Sequence, residues 1–205
     1  MPYEAGGRTE QKSRTREALV LAARDLVSSG VSPTVEQAAA AASISRTTAY
    51  RYFPNQRALL VAAHPETGAR SMLGDDPPQD AASRLDEVVR SFTAMIVQTE
   101  AQQRTMLRLS LESGLRERGG LPLRQGRAIG WFTEALEPLQ GELTDAGLRR
   151  LVLAIRSATG IEALVWLTDI GGLSRPDALE TMRWSAHGLL QAALTNGTPP
   201  APGEV

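Results

Sequence analysis

The chain has 205 residues, 42% of them hydrophobic, and a formal net charge of -1, enough for one sizeable core or two small ones. It has no cysteine, which excludes disulfides and thiolate chemistry. Its two histidines, His64 and His187, stand far apart in no metal-ligand spacing, so neither a metal site nor a cofactor is expected.

The N-terminal residues MPYEAGGRTEQKSR hold no apolar signal segment, and no stretch approaches ~18 uninterrupted apolar residues. A cytoplasmic protein without membrane association is expected. The small net charge hides an asymmetry. Residues 1–60 carry eight basic and five acidic side chains, while the remainder carries 14 basic and 18 acidic. A basic head on an acidic body is the pattern of a two-part nucleic-acid binder, although chance produces it too.

The predicted elements are helical throughout. After a flexible basic arm at 1–12, the stripe Leu19, Ala22, Ala23, Leu26, Val27 predicts an amphipathic helix over 13–29, closed by Gly30. Thr34 with Gln37 three residues on is a capping box, opening a thin alanine helix at 34–41. Ser45 caps the next helix, 45–52, which Pro54 stops because the residue before a proline avoids helical geometry. Asn55 caps a helix to 63. Residues 64–82, rich in Pro, Gly and Asp, read as a linker. Longer helices follow at about 82–99, 101–117, 124–139, 145–169 and 175–195, and the Pro-rich tail 197–205 reads as disordered. No strand pattern occurs. The fold class is therefore all-α: an N-terminal three-helix domain at 1–63, then a helical bundle at 83–196.

ISRTTAYRYFPNQRALL, residues 44–60, is the most informative stretch. Three of the chain's nine aromatic residues, Tyr50, Tyr52 and Phe53, fall within four positions, interleaved with Arg46 and Arg51. Short helices at 34–41 and 45–52 joined by a tight turn make a helix-turn-helix arrangement. In that geometry the second helix enters the DNA major groove by its N-terminal residues, here Arg46, Thr47 and Thr48. Arginine can bond a guanine edge bidentately, and threonine offers a hydroxyl and a methyl. Ala49 and Phe53 would face a small core with Ile44, leaving Tyr50 and Tyr52 beside phosphate. A helical hairpin whose hydroxyls merely cap is the alternative that spacing alone leaves open.

With TVEQAAAAASISR before it, the stretch TAYRYFPNQRALL resembles the DNA-binding domain of the TetR/AcrR family of bacterial transcriptional regulators. The matching residues are Tyr50, Tyr52, Phe53, Asn55 and Leu59, within a match spanning about 13–62. Two positions depart. The turn glycine of the family is Ser43, at a backbone position that favours φ > 0, and its phosphate-binding lysine is Gln56. Arg57 beside it is a candidate replacement. Glu36 stands where some relatives carry a basic base-contacting residue. The DNA-contact set is Thr34, Ser45, Arg46, Thr47, Thr48, Tyr50, Tyr52 and Gln56, with Lys12, Arg14 and Arg16 either adding phosphate contacts or forming a solvated face.

The resemblance implies a homodimer on a palindromic double-stranded DNA operator, released by a small apolar or amphipathic effector bound in the body. Two-fold pairing would match half-sites about 10 bp or a multiple apart. Pocket candidates are Phe92, Met95, Met106, Leu111, Trp131 and Phe132, with ordinary core as the competing reading. Glu162, a carboxylate inside ATGIEALVWL, must be paired, protonated or directed to solvent. Dimer candidates on the last two helices are Leu164, Leu167, Met182, Trp184 and Leu189. An enzyme is disfavoured, since no nucleophile or acid–base pair and no phosphate-cradling glycine loop is evident. A helical interaction module that has lost DNA binding is the alternative, supported by Ser43 and Gln56.

Overall fold

The computed structural model describes residues 3–63, 70–112 and 126–200. Ten α-helices cover most of them: α1 Tyr3–Ser28, α2 Val35–Ala41, α3 Arg46–Tyr52, α4 Gln56–Ala62, α5 Ala81–Gln98, α6 Glu100–Glu112, α7 Arg127–Ala135, α8 Asp145–Thr159, α9 Ile161–Val165 and α10 Arg175–Asn196. No strand occurs among the described residues. They divide into two compact units, 3–63 with 101–112 and 70–100 with 126–200.

In the first unit every short helix has a visible cause. Gly30, at φ 86°, closes α1: its amide bonds the Val27 carbonyl while that of Val31 bonds Leu26. The Thr34–Gln37 capping box is complete, with Gln37 N donating to Thr34 Oγ1 and Thr34 N to Gln37 Oε1. α2 ends in the same double-bonded cap as α1, Ser43 N to Ala40 O and Ile44 N to Ala39 O, but with a serine in the left-handed position at φ 55°. Ser45 and Asn55 then cap α3 and α4, and Phe53 before Pro54 is extended. A side chain at φ 55° is strained, so Ser43→Gly is expected to stabilise the unit by about 0.5–1 kcal/mol in chemical denaturation.

The core of this unit is thin because α2 is alanine. Leu19 and Ala23 of α1, Val35, Ala38 and Ala39 of α2, Ala49 and Phe53, and Leu59 of α4 form one buried cluster, with Ile44 and Tyr52 packed at its edge. A second cluster joins Val27 and Leu60 to Met106 of α6. Arg24 donates to the Ala63 carbonyl at 2.9 Å and holds the end of α4.

Residues 3–12 of the expected arm are instead part of α1, which begins at Tyr3; residues 1–2 lie outside the described set. Propagating an existing helix gains a hydrogen bond for each residue fixed, and the Glu10–Arg14 pair supports the added turns.

In the second unit α8 packs on α7 and α10, and α5 on α7 and α10. Asp80, Thr144 and Ser174 cap α5, α8 and α10. Across α5 and α10, Asp86 accepts from Nε and Nη2 of Arg183, with Arg90 at 2.9 Å and His187 at 3.3 Å. α7 stops before the expected 139 and tightens into a 3-10 turn, Glu137–Leu139. Pro138 has no N–H for the Glu134 carbonyl, and Arg84 donates to that carbonyl at 2.8 Å instead. The expected helix 145–169 breaks at Gly160, which is extended (φ -87°, ψ 179°), and resumes as α9 and a π-helical turn, Trp166–Ile170.

Parts of two segments expected to be loose are held, residues 201–205 of the tail lying outside the described set. Within the expected linker, Trp131 donates to the Arg70 carbonyl at 3.1 Å, Ser71 bonds Glu134, and the Gly74 amide bonds Glu87; residues 64–69 lie outside the described set. Within the expected tail, Pro199 accepts from Arg150 and Thr198 lies against Gly147 of α8. By length and composition alone the run Asp145–Ile170 is apolar enough to cross a membrane; Leu148, Leu151, Val152 and Ile155 within it are buried in this unit.

Candidate nucleic-acid interface

α3 has two faces with opposite chemistry. Ala49 and the capping residue Phe53 are buried at 0% and 3% exposure, while Arg46, Thr47, Tyr50 and Arg51 are exposed. Four-residue spacing puts the two buried positions on one stripe, and the polar positions follow from the remaining register. The Ser45 hydroxyl accepts from Thr48 N and donates to Thr48 Oγ1 at 2.8 Å, so both hydroxyls are engaged at the helix start. Thr34 is likewise used as a cap. Tyr52 is half-buried against the core, so of the three rings in this stretch Tyr50 is the most exposed.

The outer face carries a feature that sequence reading missed. Glu36 of α2 pairs with Arg46 at 3.0 Å and accepts the Tyr50 hydroxyl at 2.6 Å, both through Oε1. The Arg46 guanidinium also lies over the Tyr50 ring, 5.6 Å from its centroid. The Tyr50 hydrogen bond, ahead of the Arg46 charge, holds the Glu36 carboxyl below its ordinary value, and the same bond raises the Tyr50 phenol. A carboxylate at the second position of α2, where the turn brings α2 and α3 together, is the signal that was available.

Two basic-residue expectations change. Gln56 is turned to the α1–α2 loop, donating to the Ser32 carbonyl at 3.0 Å, and Arg108 of α6 bonds the Ser32 hydroxyl. Arg57, the candidate replacement for the missing lysine, has Nε and Nη2 enclosed, with no hydrogen-bond partner, rather than held out toward solvent. Arg16 lies over the Phe53 ring at 5.4 Å, and Arg14 pairs with Glu10.

The pocket candidates separate. Phe92, Trp131 and Phe132 form one buried cluster in the second unit, with edge-on ring contacts of 6.0 and 5.5 Å centred on Phe92. Met95 is half-buried on the same helix as Phe92. Met106 belongs to the first unit, where it borders a cavity of about 10 Å³ with Val27 and Leu60. That is far below the roughly 300 Å³ of a small-molecule site. Leu111 is 76% exposed. Glu162 is paired: Arg156 reaches it at 3.5 Å across Gly160, and the same guanidinium caps the Phe92 ring at 5.1 Å.

Of the dimer candidates, Leu164 and Met182 are buried inside their own unit, Leu167 and Leu189 are half-buried, and Trp184 is 76% exposed. Met182 and Trp184, two apart on one helix, face opposite ways. Trp166 and Ile170 of the π turn, not singled out from sequence, are 60% and 65% exposed. No family model matches the chain, and no curated protein matches it by sequence.

Proposed function

We propose that the protein is a DNA-binding transcriptional regulator of the TetR/AcrR kind, working as a homodimer, with α2 and α3 as a helix-turn-helix and α3 as the reading helix. The observation that carries this is the two-faced α3, capped by Ser45 and stopped by Pro54, with its rear in the core and Arg46, Thr47 and Tyr50 outward. A helix so anchored can enter a major groove without unfolding its domain, and its exposed groups are those that bond base edges and phosphate. Repression relieved by a small effector in the helical body, and a cytoplasmic location, complete the reading.

The test is a mobility-shift assay on duplex DNA from upstream of the protein's own gene, against excess random duplex, over a range of salt. Sequence-selective binding that weakens steeply with salt is expected. Absence of salt-dependent duplex binding would overturn the proposal in favour of an interaction module, a reading that the engagement of Arg46, Tyr50 and Gln56 inside the protein also fits.

The dimer part rests on Trp166, Ile170 and Trp184, since large apolar side chains held in water mark interaction surfaces. Trp184→Glu is expected to convert the dimer to monomer in sedimentation velocity at micromolar protein without lowering helix content. A dimer unchanged by Trp184→Glu would place the seam elsewhere.

A further inference from the structure

We infer that Glu36 is the specificity-determining residue of the reading face, neutralising Arg46 so that it answers to base edges rather than to any phosphate. The inference rests on the DNA-reading proposal above.

Arg46, Tyr50 and Glu36 form a closed group. One carboxylate oxygen receives the guanidinium at 3.0 Å and the phenol at 2.6 Å, and the guanidinium lies over the phenol ring. The group has one positive and one negative charge, and the Glu36 side chain keeps 36% of its surface exposed beside an Arg46 side chain that keeps 73%. It is therefore open to a ligand, yet electrostatically neutral.

Non-specific duplex binding draws its free energy from cations that replace the counterions around phosphates. Arg46 contributes nothing to that term while its charge is paired. To grip a phosphate it would have to leave Glu36, and the uncovered carboxylate would then face the polyanion. A base edge imposes no such separation. Guanine presents the O6 and N7 acceptors to an arginine, while cytosine N4 or adenine N6 presents a donor that the exposed edge of the Glu36 carboxylate can accept. A site offering guanine beside an amino-bearing base can satisfy both side chains where they stand. Random sequence cannot. Glu36 thus lowers affinity for the wrong DNA more than for the right one, and specificity is that difference.

The probe is a random-sequence duplex of about 30 bp, long enough to span half-sites one turn apart, measured by fluorescence anisotropy across a salt series with the full chain. Glu36→Gln keeps the shape and removes the charge. It is expected to raise affinity for the random duplex about three- to tenfold and to steepen the log–log salt slope by about 1 per head. In an Arg46→Ala background the same change is expected to gain clearly less than in the parent, because it relieves only the repulsion of the uncovered carboxylate and releases no cation. Selection from a randomised duplex pool should show the Glu36→Gln protein tolerating more bases at the position beside its preferred guanine. An alkaline absorbance titration should show one phenol titrating lower in Glu36→Gln than in the parent, confirming that the group exists in solution.

Unchanged or weaker random-duplex binding by Glu36→Gln, with helix content and thermal midpoint intact, would overturn the inference and make Glu36 a simple prop. An equal gain with and without Arg46 would overturn it too, since that is general repulsion. Failure of parent and variants alike to bind any duplex at low salt would instead bring down the DNA-reading proposal itself.

Discussion

Arg46→Ala is expected to reduce affinity for the protein's own operator by about ten- to a hundredfold per head, while thermal unfolding shifts by no more than a few degrees. The first half follows from what a bidentate arginine does at a guanine edge, worth about 1–3 kcal/mol of discrimination. The second follows from where the residue stands. Arg46 is exposed at the first position of α3, and its structural partner is the surface pair with Glu36. Such pairs contribute about 0–1 kcal/mol. Binding and stability therefore separate at this position, which is what a reading residue requires.

Removing Arg46 also strips Glu36 of its cation and leaves a carboxylate on the face. The measured loss will thus contain two parts, the missing base contact and the added repulsion, and the Glu36→Gln/Arg46→Ala double variant divides them. Operator affinity unchanged in Arg46→Ala, measured alongside an unaltered circular dichroism spectrum, would show that α3 is not the reading element.

How far the sequence disclosed this depends on whether a feature is local. The Thr34–Gln37 capping box, the Ser45 and Asn55 caps and the stop at Pro54 are written within four residues each, and the described helices follow them. Ser43 at positive φ was legible for the same reason, as one position in one turn. Features that depend on distant partners were not. The break at Gly160 is invisible in a run apolar enough for continuous helix, and without it Arg156 and Glu162, six apart, would not share a face. The same uniform apolarity gives no phase for telling inward from outward residues, so it does not separate the buried Leu164 from the exposed Trp166. Residues 70–80 look like a linker by composition, but hydrogen bonds tie them to a side chain of α5 thirteen positions away and to side chains of α7 more than sixty positions away. The Glu36–Arg46–Tyr50 group lies between these cases. Its members and the turn that joins them are legible in the sequence, but the contact across that turn is not, because it depends on how α2 and α3 pack.

Phe92→Ala is expected to destabilise the second unit by about 3–5 kcal/mol, the largest effect of any single change proposed for it. Phe92 is fully buried, and three groups depend on it: Trp131 at 6.0 Å, Phe132 at 5.5 Å and the Arg156 guanidinium at 5.1 Å. Truncation removes the transfer free energy of the ring and leaves a cavity that edge-on neighbours cannot fill by small rotations. It also takes the ring from beneath a guanidinium that bridges the Gly160 break to Glu162. In a chain of this size a loss of that order lowers the thermal midpoint by roughly 6–20 °C. The measurement decides between the two readings of these aromatics. A ring that borders an effector site has space on one side, so its truncation would cost about 1 kcal/mol or less and would change the effector response. A ring packed on every side costs the full amount, and Phe92→Leu, which restores much of the volume, should recover more than half of it. A small loss in Phe92→Ala would return the cluster to the list of pocket walls; a large one fixes it as the core on which α5, α7 and α8 are hung.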